Sequence, residues 1–397
     1  MKWTELIHHP DVQKCLKEYA NDDIATLALK WSSRKELPVK FLLTQIQCKQ
    51  KAKVKLPAWA ENNFLIYPDS TALEQCSSEK AAIFKADFAK DKSMADITGG
   101  LGVDSWAFSK RAKSVVYVEP DETRFELAKH NLKTLGQENI SFINKTAEEV
   151  IVDFKNNTFD LLYIDPSRRD AQQKRFFRLG DLQPDVLQMM SQLKRVAKQI
   201  LIKAAPMLDI KQALIDFGGA EKVIVISLHN ECRELLFLLG ENNTSDPEIE
   251  CVELDDIATA FCFHFREEEN IELKTGAINN FIFDPYAAIT KAGAFKSVAE
   301  KFTLHAVHAN THVYTGDTFI SNFPGRIFEV KTILSYDPKK IMALFPDKKA
   351  TIIIRNFPVE STKVLKQLPL KSDIKNYIFL VTDCDGNAVA VAAERKL

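Results

Sequence analysis

The chain has 397 residues, 46% of them hydrophobic and 27% charged, with a formal net charge of −1; that composition excludes a disordered or fibrous protein. No apolar run approaches the roughly 18 residues a membrane-spanning helix needs, and the start, Met1–Pro10, lacks an apolar signal-peptide core. Seven cysteines without a Cys-x-x-Cys pair predict free thiols and a reducing, cytoplasmic setting. Charge is unevenly spread. Lys and Arg outnumber Asp and Glu by 11 to 6 in residues 1–60 and by 13 to 8 in 326–397, whereas residues 241–285 hold 2 against 12. Both ends are mildly basic, which is compatible with phosphate binding without demanding it.

Residues 1–80 read as an N-terminal helical region. Asp11–Tyr19 and Ile24–Trp31 carry helical periodicity, and Pro38 opens a third helix from Val39 to Gln47. Beyond it, Lys49, Lys51, Lys53 and Lys55 alternate with other residues up to Pro57. That pattern leaves two readings open, a solvated connector and a phosphate-contacting strip. Ser77 or Ser78 is placed to cap the next helix.

Residues 81–245 contain the most informative stretch, Met94–Ser105. A short apolar strand ends at Asp96, and Thr98, Gly99, Gly100 and Gly102 follow before a helix expected near Asp104. Strand, glycine loop and helix form the first unit of a nucleotide-binding α/β sheet. A dinucleotide loop reads Gly-x-Gly-x-x-Gly, but Ser105 stands at the third position. The pattern present is Asp-x-x-x-Gly-x-Gly, and its carboxylate would repel a pyrophosphate and suit a cationic amine. A second strand, Ser114–Val118, ends at Glu119 and Pro120, where a carboxylate can accept two ribose hydroxyls. A third, Ile140–Ile143, leads to Asn144, Thr146, Ala147 and Glu148. A fourth, from Phe159, ends in Asp165-Pro166-Ser167-Arg168-Arg169, and the proline stops a central strand there. Lys174, Arg175 and Arg178 make the following loop basic around Phe176 and Phe177; a substrate phosphate and ion pairing with Asp170 and Asp181 both account for it.

These motifs resemble class I S-adenosylmethionine-dependent methyltransferases: motif I at Asp96–Gly102, the acidic position at Glu119, and motif IV at Asp165-Pro166. The resemblance implies a Rossmann-like sheet and an S-adenosyl-L-methionine cofactor. Cofactor contacts are expected from Asp96, Thr98, Gly99, Gly100, Gly102, Asp104, Glu119, Pro120, Ala147, Glu148 and Asp165, with Gln75 and Ser77 as further candidates. Asp165, Pro166 and Ser167 are the expected catalytic element, and Arg168, Arg169, Arg175 and Lys203 the expected substrate contacts. Ser167 and Arg168 stand where amino methyltransferases carry a second proline and an aromatic, so the usual stacking ring is missing.

Later elements complete the sheet. Asp181–Met190 is expected to be a helix, Gln199–Lys203 a fifth strand, and Lys222–Ser227 with Glu234–Gly240 a hairpin. Residues 246–325 read as an acidic connector and ferredoxin-like segment, with a strand at Ala260–Phe265 and a helix from Pro285 to Gly293. In 326–397 the order strand, helix, strand, helix, strand, strand, with Asp385-Gly386-Asn387 as the last turn, looks like a THUMP-like α+β domain. This succession resembles a bacterial family of methyltransferases with those domains, and it implies methylation of RNA at a base nitrogen. The alternatives are a small-molecule or protein methyltransferase and a non-catalytic, cofactor-binding RNA module. His305, His308 and His312 have ligand spacing, but their β-branched neighbours favour a strand and no metal is expected. Cys232 reads as a structural thiol.

Overall fold

The computed structural model describes residues 2–34, 36–168 and 179–396, without the side chains of Arg168 and Asp181. The chain forms two compact units, Met1–Glu221 with Phe237–Asn243, and Lys222–Leu236 with Thr244–Leu397.

In the first unit, β1 (Ser93–Asp96), β2 (Ser114–Val118), β3 (Ile140–Ile143), β4 (Phe159–Ile164) and β5 (Ala197–Ala204) run parallel. Their order is β3-β2-β1-β4-β5. It reverses between β1 and β4, and a crevice opens at the carboxyl ends of strands flanking such a reversal. The strands read as nearly continuous apolar runs because both faces are covered; Leu161, Leu162, Ile164, Leu201 and Ile202 are fully buried.

The N-terminal helices share a core with this sheet domain. Ile7, Val12, Leu27, Trp31, Phe41, Leu42, Ile46 and Ile66 cluster with Leu127, which lies on the helix Glu122–Thr134 after β2. Asn131 of that helix fastens the joint. Its amide donates to the Ile66 carbonyl and accepts from the Ile66 N–H, both at 2.8 Å. The helix expected to end near Gln47 continues from Val39 to Lys55 (α1), since no residue before Leu56-Pro57 interrupts it. The four alternating lysines therefore lie on a helix, where residues two apart point about 200° apart. They do not form one strip. Lys49 meets Asn63, Lys51 meets Glu74, Lys53 meets Asn21 and Lys55 meets the Glu74 carbonyl.

One further boundary differs from expectation. The helix placed at Asp181–Met190 begins at Val186, because Asp185 is its cap and accepts from the Gln188 N–H at 3.1 Å. Leu182–Gln183 instead pairs antiparallel with Ser167–Arg168.

The second unit begins with β6 (Lys222–Leu228) and most of β7 (Glu231–Leu239), which are sheet neighbours. The two residues joining them, His229 and Asn230, both have positive φ, 55° and 56°, as a tight hairpin turn requires. Within the acidic segment, Glu248–Glu253 is no connector but a strand, β8, parallel to β6 and paired with β9 (Phe261–Phe263). Lys222 reaches Glu248 and Glu250, each at 2.9 Å. A seven-stranded sheet joins β10 (Phe281–Pro285), β11 (His305–Ala306), β12 (Tyr314–Gly316), β13 (Gly325–Ser335), β14 (Thr351–Arg355), β15 (Asn376–Thr382) and β16 (Ala388–Arg395) in the order β11-β12-β10-β13-β16-β15-β14. All six elements expected after residue 326 are present, and Gly386 turns the last hairpin with φ 83°.

Candidate active site

Asp96, at the tip of β1, explains why the loop has its shape. Asp96 is 1% exposed. One carboxylate oxygen accepts from the Ser105 hydroxyl at 2.6 Å and the other from the Thr98 N–H at 3.1 Å. The serine standing where a dinucleotide loop has glycine therefore anchors the turn. Burial pushes the Asp96 carboxyl up to about 7, against the lowering effect of the Ser105 bond.

The glycines differ in what they do. A Cβ on Gly99 would lie 2.1 Å from the Tyr117 ring, so packing requires its absence. Gly102 has φ 81° and caps the helix Val103–Ser109. Gly100 has φ 53°, and a Cβ there would meet only the Thr98 carbonyl, at 3.9 Å. It is the glycine that faces open space. Its N–H donates to Glu119 at 3.0 Å, and its carbonyl accepts from the Tyr117 hydroxyl at 2.7 Å.

Glu119 is 5% exposed and burial raises its pKa. Each of its oxygens accepts one backbone N–H, from Gly100 and Asp121 at 3.0 Å, and retains a second lone-pair direction for a hydroxyl. Beside it, the Asn144 amide donates to the carbonyls of Glu119 and Pro120 at 2.7 and 3.1 Å. Pro120 and Glu148 are exposed; Ala147 is buried in the first turn of Ala147–Asp153, behind a Thr146–Glu149 capping box. Open space at Gly100 beside a buried acceptor pair at Glu119 fits the ribose of a nucleoside cofactor.

A second layer lies beneath the loop. Lys85, from Glu79–Ala86, is fully buried and ion-pairs with Asp104 at 3.0 Å. Asp104 also accepts from the Ser77 hydroxyl at 2.8 Å and the Tyr163 hydroxyl at 3.0 Å, and Lys85 donates to Ser77 at 2.7 Å. Burial works against the Asp104 carboxylate, but Lys85 and Lys203 outweigh it and hold its pKa below the ordinary value. The neighbouring Ser78, not Ser77, caps the helix, accepting from the Ala81 N–H at 3.3 Å, and Gln75 is exposed. Sequence reasoning missed Lys85 and Tyr163. Lys85 had one signal: it shares a helix face with Ala81, Ala82 and Ala86, all buried.

The third layer is the end of β4. The Asp165 N–H donates to the Thr98 hydroxyl at 2.7 Å, which ties the Asp-Pro turn to the glycine loop. The Asp165 carboxylate pairs with Lys203 from β5. Its side chain is 35% exposed, that of Lys203 13%. Pro166 is buried and Ser167 exposed. Asp96, Thr98, Asp165 and Lys203 are thus linked by a chain of short contacts, while Gly100–Glu119 and Asp104–Lys85 form separate pairs around the same loop. Arg169, Lys174, Arg175, Phe176, Phe177 and Arg178 lie outside the described residues, and of Arg168 only the backbone is described.

The remaining candidates belong to the second unit. His305 is in β11, His308 accepts from the Asn310 N–H at 3.1 Å, and His312 stacks on Phe295 with centroids 3.7 Å apart. No metal-binding group of three occurs among the described residues. Burial raises the Cys232 thiol to about 11. No described helix is long and apolar enough to cross a membrane.

Comparisons with known proteins bear on the family and the fold. Residues 80–203 match the family of conserved hypothetical protein 95, residues 281–324 a ferredoxin-like domain and residues 325–395 a THUMP-like domain. Two proteins of Mycobacterium tuberculosis, from strains CDC 1551 / Oshkosh and H37Rv, are each described as an uncharacterized S-adenosylmethionine-dependent methyltransferase. Each is 22% identical over 308 residues, 76% of this chain and 80% of theirs. A crystal structure assigned as a methyltransferase, from Porphyromonas gingivalis W83, superposes with a TM-score of 0.85 at 27% identity, covering 99% of this chain and 98% of that one. The chain is therefore a relative of S-adenosylmethionine-dependent methyltransferases by sequence, has a methyltransferase-type α/β fold, and carries ferredoxin-like and THUMP-like domains.

Proposed function

We propose that the protein uses S-adenosylmethionine to methylate a base nitrogen of RNA. The observation that carries this reading is the link between the two motifs: Thr98 of the glycine loop holds the backbone of Asp165, whose carboxylate stays partly open. Glu119 would accept the ribose hydroxyls, Gly99, Gly100, Gly102 and Thr98 would admit and shape the loop around the cofactor, and Pro120, Ala147 and Glu148 would flank its base. Asp96 and Asp104 act from below by fixing the loop. When bound, the cofactor supplies an activated methyl group, so the residues around it need to align more than to exchange protons.

Asp165 is the group to orient the acceptor amine. Its carboxylate accepts an N–H hydrogen bond from the target and so directs the nitrogen lone pair; Pro166 and Ser167 set the turn that presents it. Lys203 holds the carboxylate in place. Arg168, Arg169 and Arg175 supply the positive charge expected next to a phosphate backbone, and the THUMP-like match favours RNA over a small metabolite.

The test is tritiated methyl transfer into total cellular RNA by the wild type and by Asp165→Ala. Incorporation that the variant loses supports the reading. Transfer to protein or to small molecules, with none to RNA, overturns its RNA half. RNA affinity should also fall steeply with salt, because phosphate contacts release counterions.

A further inference from the structure

A cavity of about 360 Å³ opens in the N-terminal helical region, lined by none of the residues assigned above to the cofactor or the Asp-Pro turn. Its walls come from the helix Pro10–Glu18, from the middle of Val39–Lys55, and from the segment 62–67. Its volume lies at the small end of the roughly 300–1,000 Å³ found for ligand sites, room for one small group and not for a duplex.

The lining is chemically one-sided. Lys14, Lys17 and Lys49 are among its lining residues, and among the described residues no aspartate or glutamate lines it. Lys49 is partly buried, which lowers its pKa, and it meets the Asn63 side-chain carbonyl instead of a carboxylate. Asn62, Asn63, Gln13 and Gln45 bring amide groups to the same walls, over a floor that includes Ile7, Ile46 and Leu65. Gln45 is itself fixed, with both ends bonded to the Tyr67 backbone at 2.8 and 2.9 Å. Between the lining residues Asn63 and Leu65, Phe64 is 42% exposed and stacks on His8, centroids 5.2 Å apart and planes 18° from parallel. His130 packs edge-on against His8 at 5.8 Å.

Cations for a phosphate, amides for base edges and an exposed aromatic for stacking are the three parts with which proteins hold unpaired nucleotides. We propose that this cavity binds a single nucleotide, and that its source is an unpaired nucleotide of the RNA substrate. The phosphate is held by Lys14, Lys17 and Lys49, the base edge by the side-chain N–H groups of Asn62 and Asn63, whose oxygens are bonded to the Phe64 N–H and Lys49, and a neighbouring base stacks on Phe64. The inference rests on the RNA reading and gives the helical region a role in it: substrate capture away from the site of methyl transfer.

The experiment uses the full chain and two pairs of probes. A labelled single-stranded RNA 12-mer and the same length as a blunt RNA duplex are titrated by fluorescence anisotropy; adenosine and uridine 5′-monophosphates are titrated by calorimetry. The variants are Lys14→Gln/Lys17→Gln, both at exposed positions, and Phe64→Ala, each checked for an unchanged melting temperature. Single-stranded RNA should bind tighter than duplex. The lysine variant should lose about tenfold or more in affinity, and its salt dependence should be shallower by roughly 0.7, the share of the one phosphate these lysines hold. Phe64→Ala should lose affinity without changing that slope.

Mononucleotide binding that outcompetes RNA would make a free nucleotide the source. Wild-type affinity for RNA and nucleotides in both variants would overturn the site while leaving the RNA reading in place. A poly-glutamate peptide binding as tightly as the RNA would overturn it too, in favour of an acidic protein partner. S-adenosylmethionine titrated into the same samples separates these results from failure of the methyltransferase reading, since cofactor affinity should be equal in all three proteins.

Discussion

Two lysine–carboxylate pairs in the sheet domain are built from the same groups and do opposite things. In Lys85–Asp104 the cation is wholly buried and the carboxylate 12% exposed; two hydroxyls complete the carboxylate's partners. In Lys203–Asp165 the carboxylate is 35% exposed. Burying two charges costs several kcal/mol each, so an interior pair persists only when hydrogen bonds satisfy what remains. In the first pair both hydroxyls fall on one Asp104 oxygen and the Lys85 ammonium faces the other, and it can only support the loop above it. The second leaves acceptor capacity open, as the role proposed for Asp165 requires. The lesson is that burial and satisfaction, more than residue type, separate a scaffold carboxylate from a working one.

The comparison breaks most visibly by removing the buried cation. Lys85→Met leaves Asp104 charged in the interior, and urea unfolding should show a loss of about 3–5 kcal/mol. A loss below about 1 kcal/mol would mean that the pair is not structural. Asp165→Ala should do the reverse. Methyl transfer should fall about a hundredfold, worth about 2.7 kcal/mol, while unfolding shifts by less than about 1 kcal/mol and cofactor affinity stays within a few-fold. A variant equally impaired in folding and in rate would erase the distinction.

Tyr163→Phe sharpens the buried side. It removes one hydroxyl from the Asp104 carboxylate, and hydrogen bonds to charged groups contribute about 1.5–3 kcal/mol; thermal melts should show a loss in that range with the sheet intact.

The effect smallest per step of the measurement concerns pH. Asp96 has its carboxyl raised by burial to about 7 from an ordinary value of 3.8. Between those values the folded state holds a proton that the unfolded state has released. Its contribution to stability is therefore complete below 3.8 and is lost as pH rises toward 7, with a slope of at most about 1.4 kcal/mol per pH unit. Asp96→Asn should remove that slope. The difference in urea midpoint between wild type and variant should change steadily from pH 4 to 7 and level off above; a constant difference would show that Asp96 does not titrate there.

Much of this was legible in the sequence because local chemistry dictates it. The glycine loop, Glu119, Asp165-Pro166 and the strand–helix order after residue 326 are written in glycines, prolines and period-two apolar runs. What was not legible depends on contacts between distant segments. Nothing around Lys85 announces that its cation meets Asp104, nor does the strand pattern of Phe159–Ile164 single out Tyr163 for the same carboxylate. The basic run after Lys49 was ambiguous for a different reason. Alternating lysines satisfy a connector as well as a helix, and only the absence of a breaker before Pro57 decides between them. At Asp181 the opposite happened: the expected helix took in Asp185, which instead caps it from just outside, next to Pro184.

The central claim is that the loop around Gly100 and Glu119 binds S-adenosylmethionine. Calorimetric titration of the cofactor into the wild type and Gly100→Arg tests it most directly, because this glycine has positive φ and faces open space, so that arginine both strains the turn and fills the cleft. Micromolar-range binding that the variant abolishes, with its fold unchanged by circular dichroism, is the predicted result. Absence of binding in the wild type, or equal binding in both proteins, would contradict the assignment of the site.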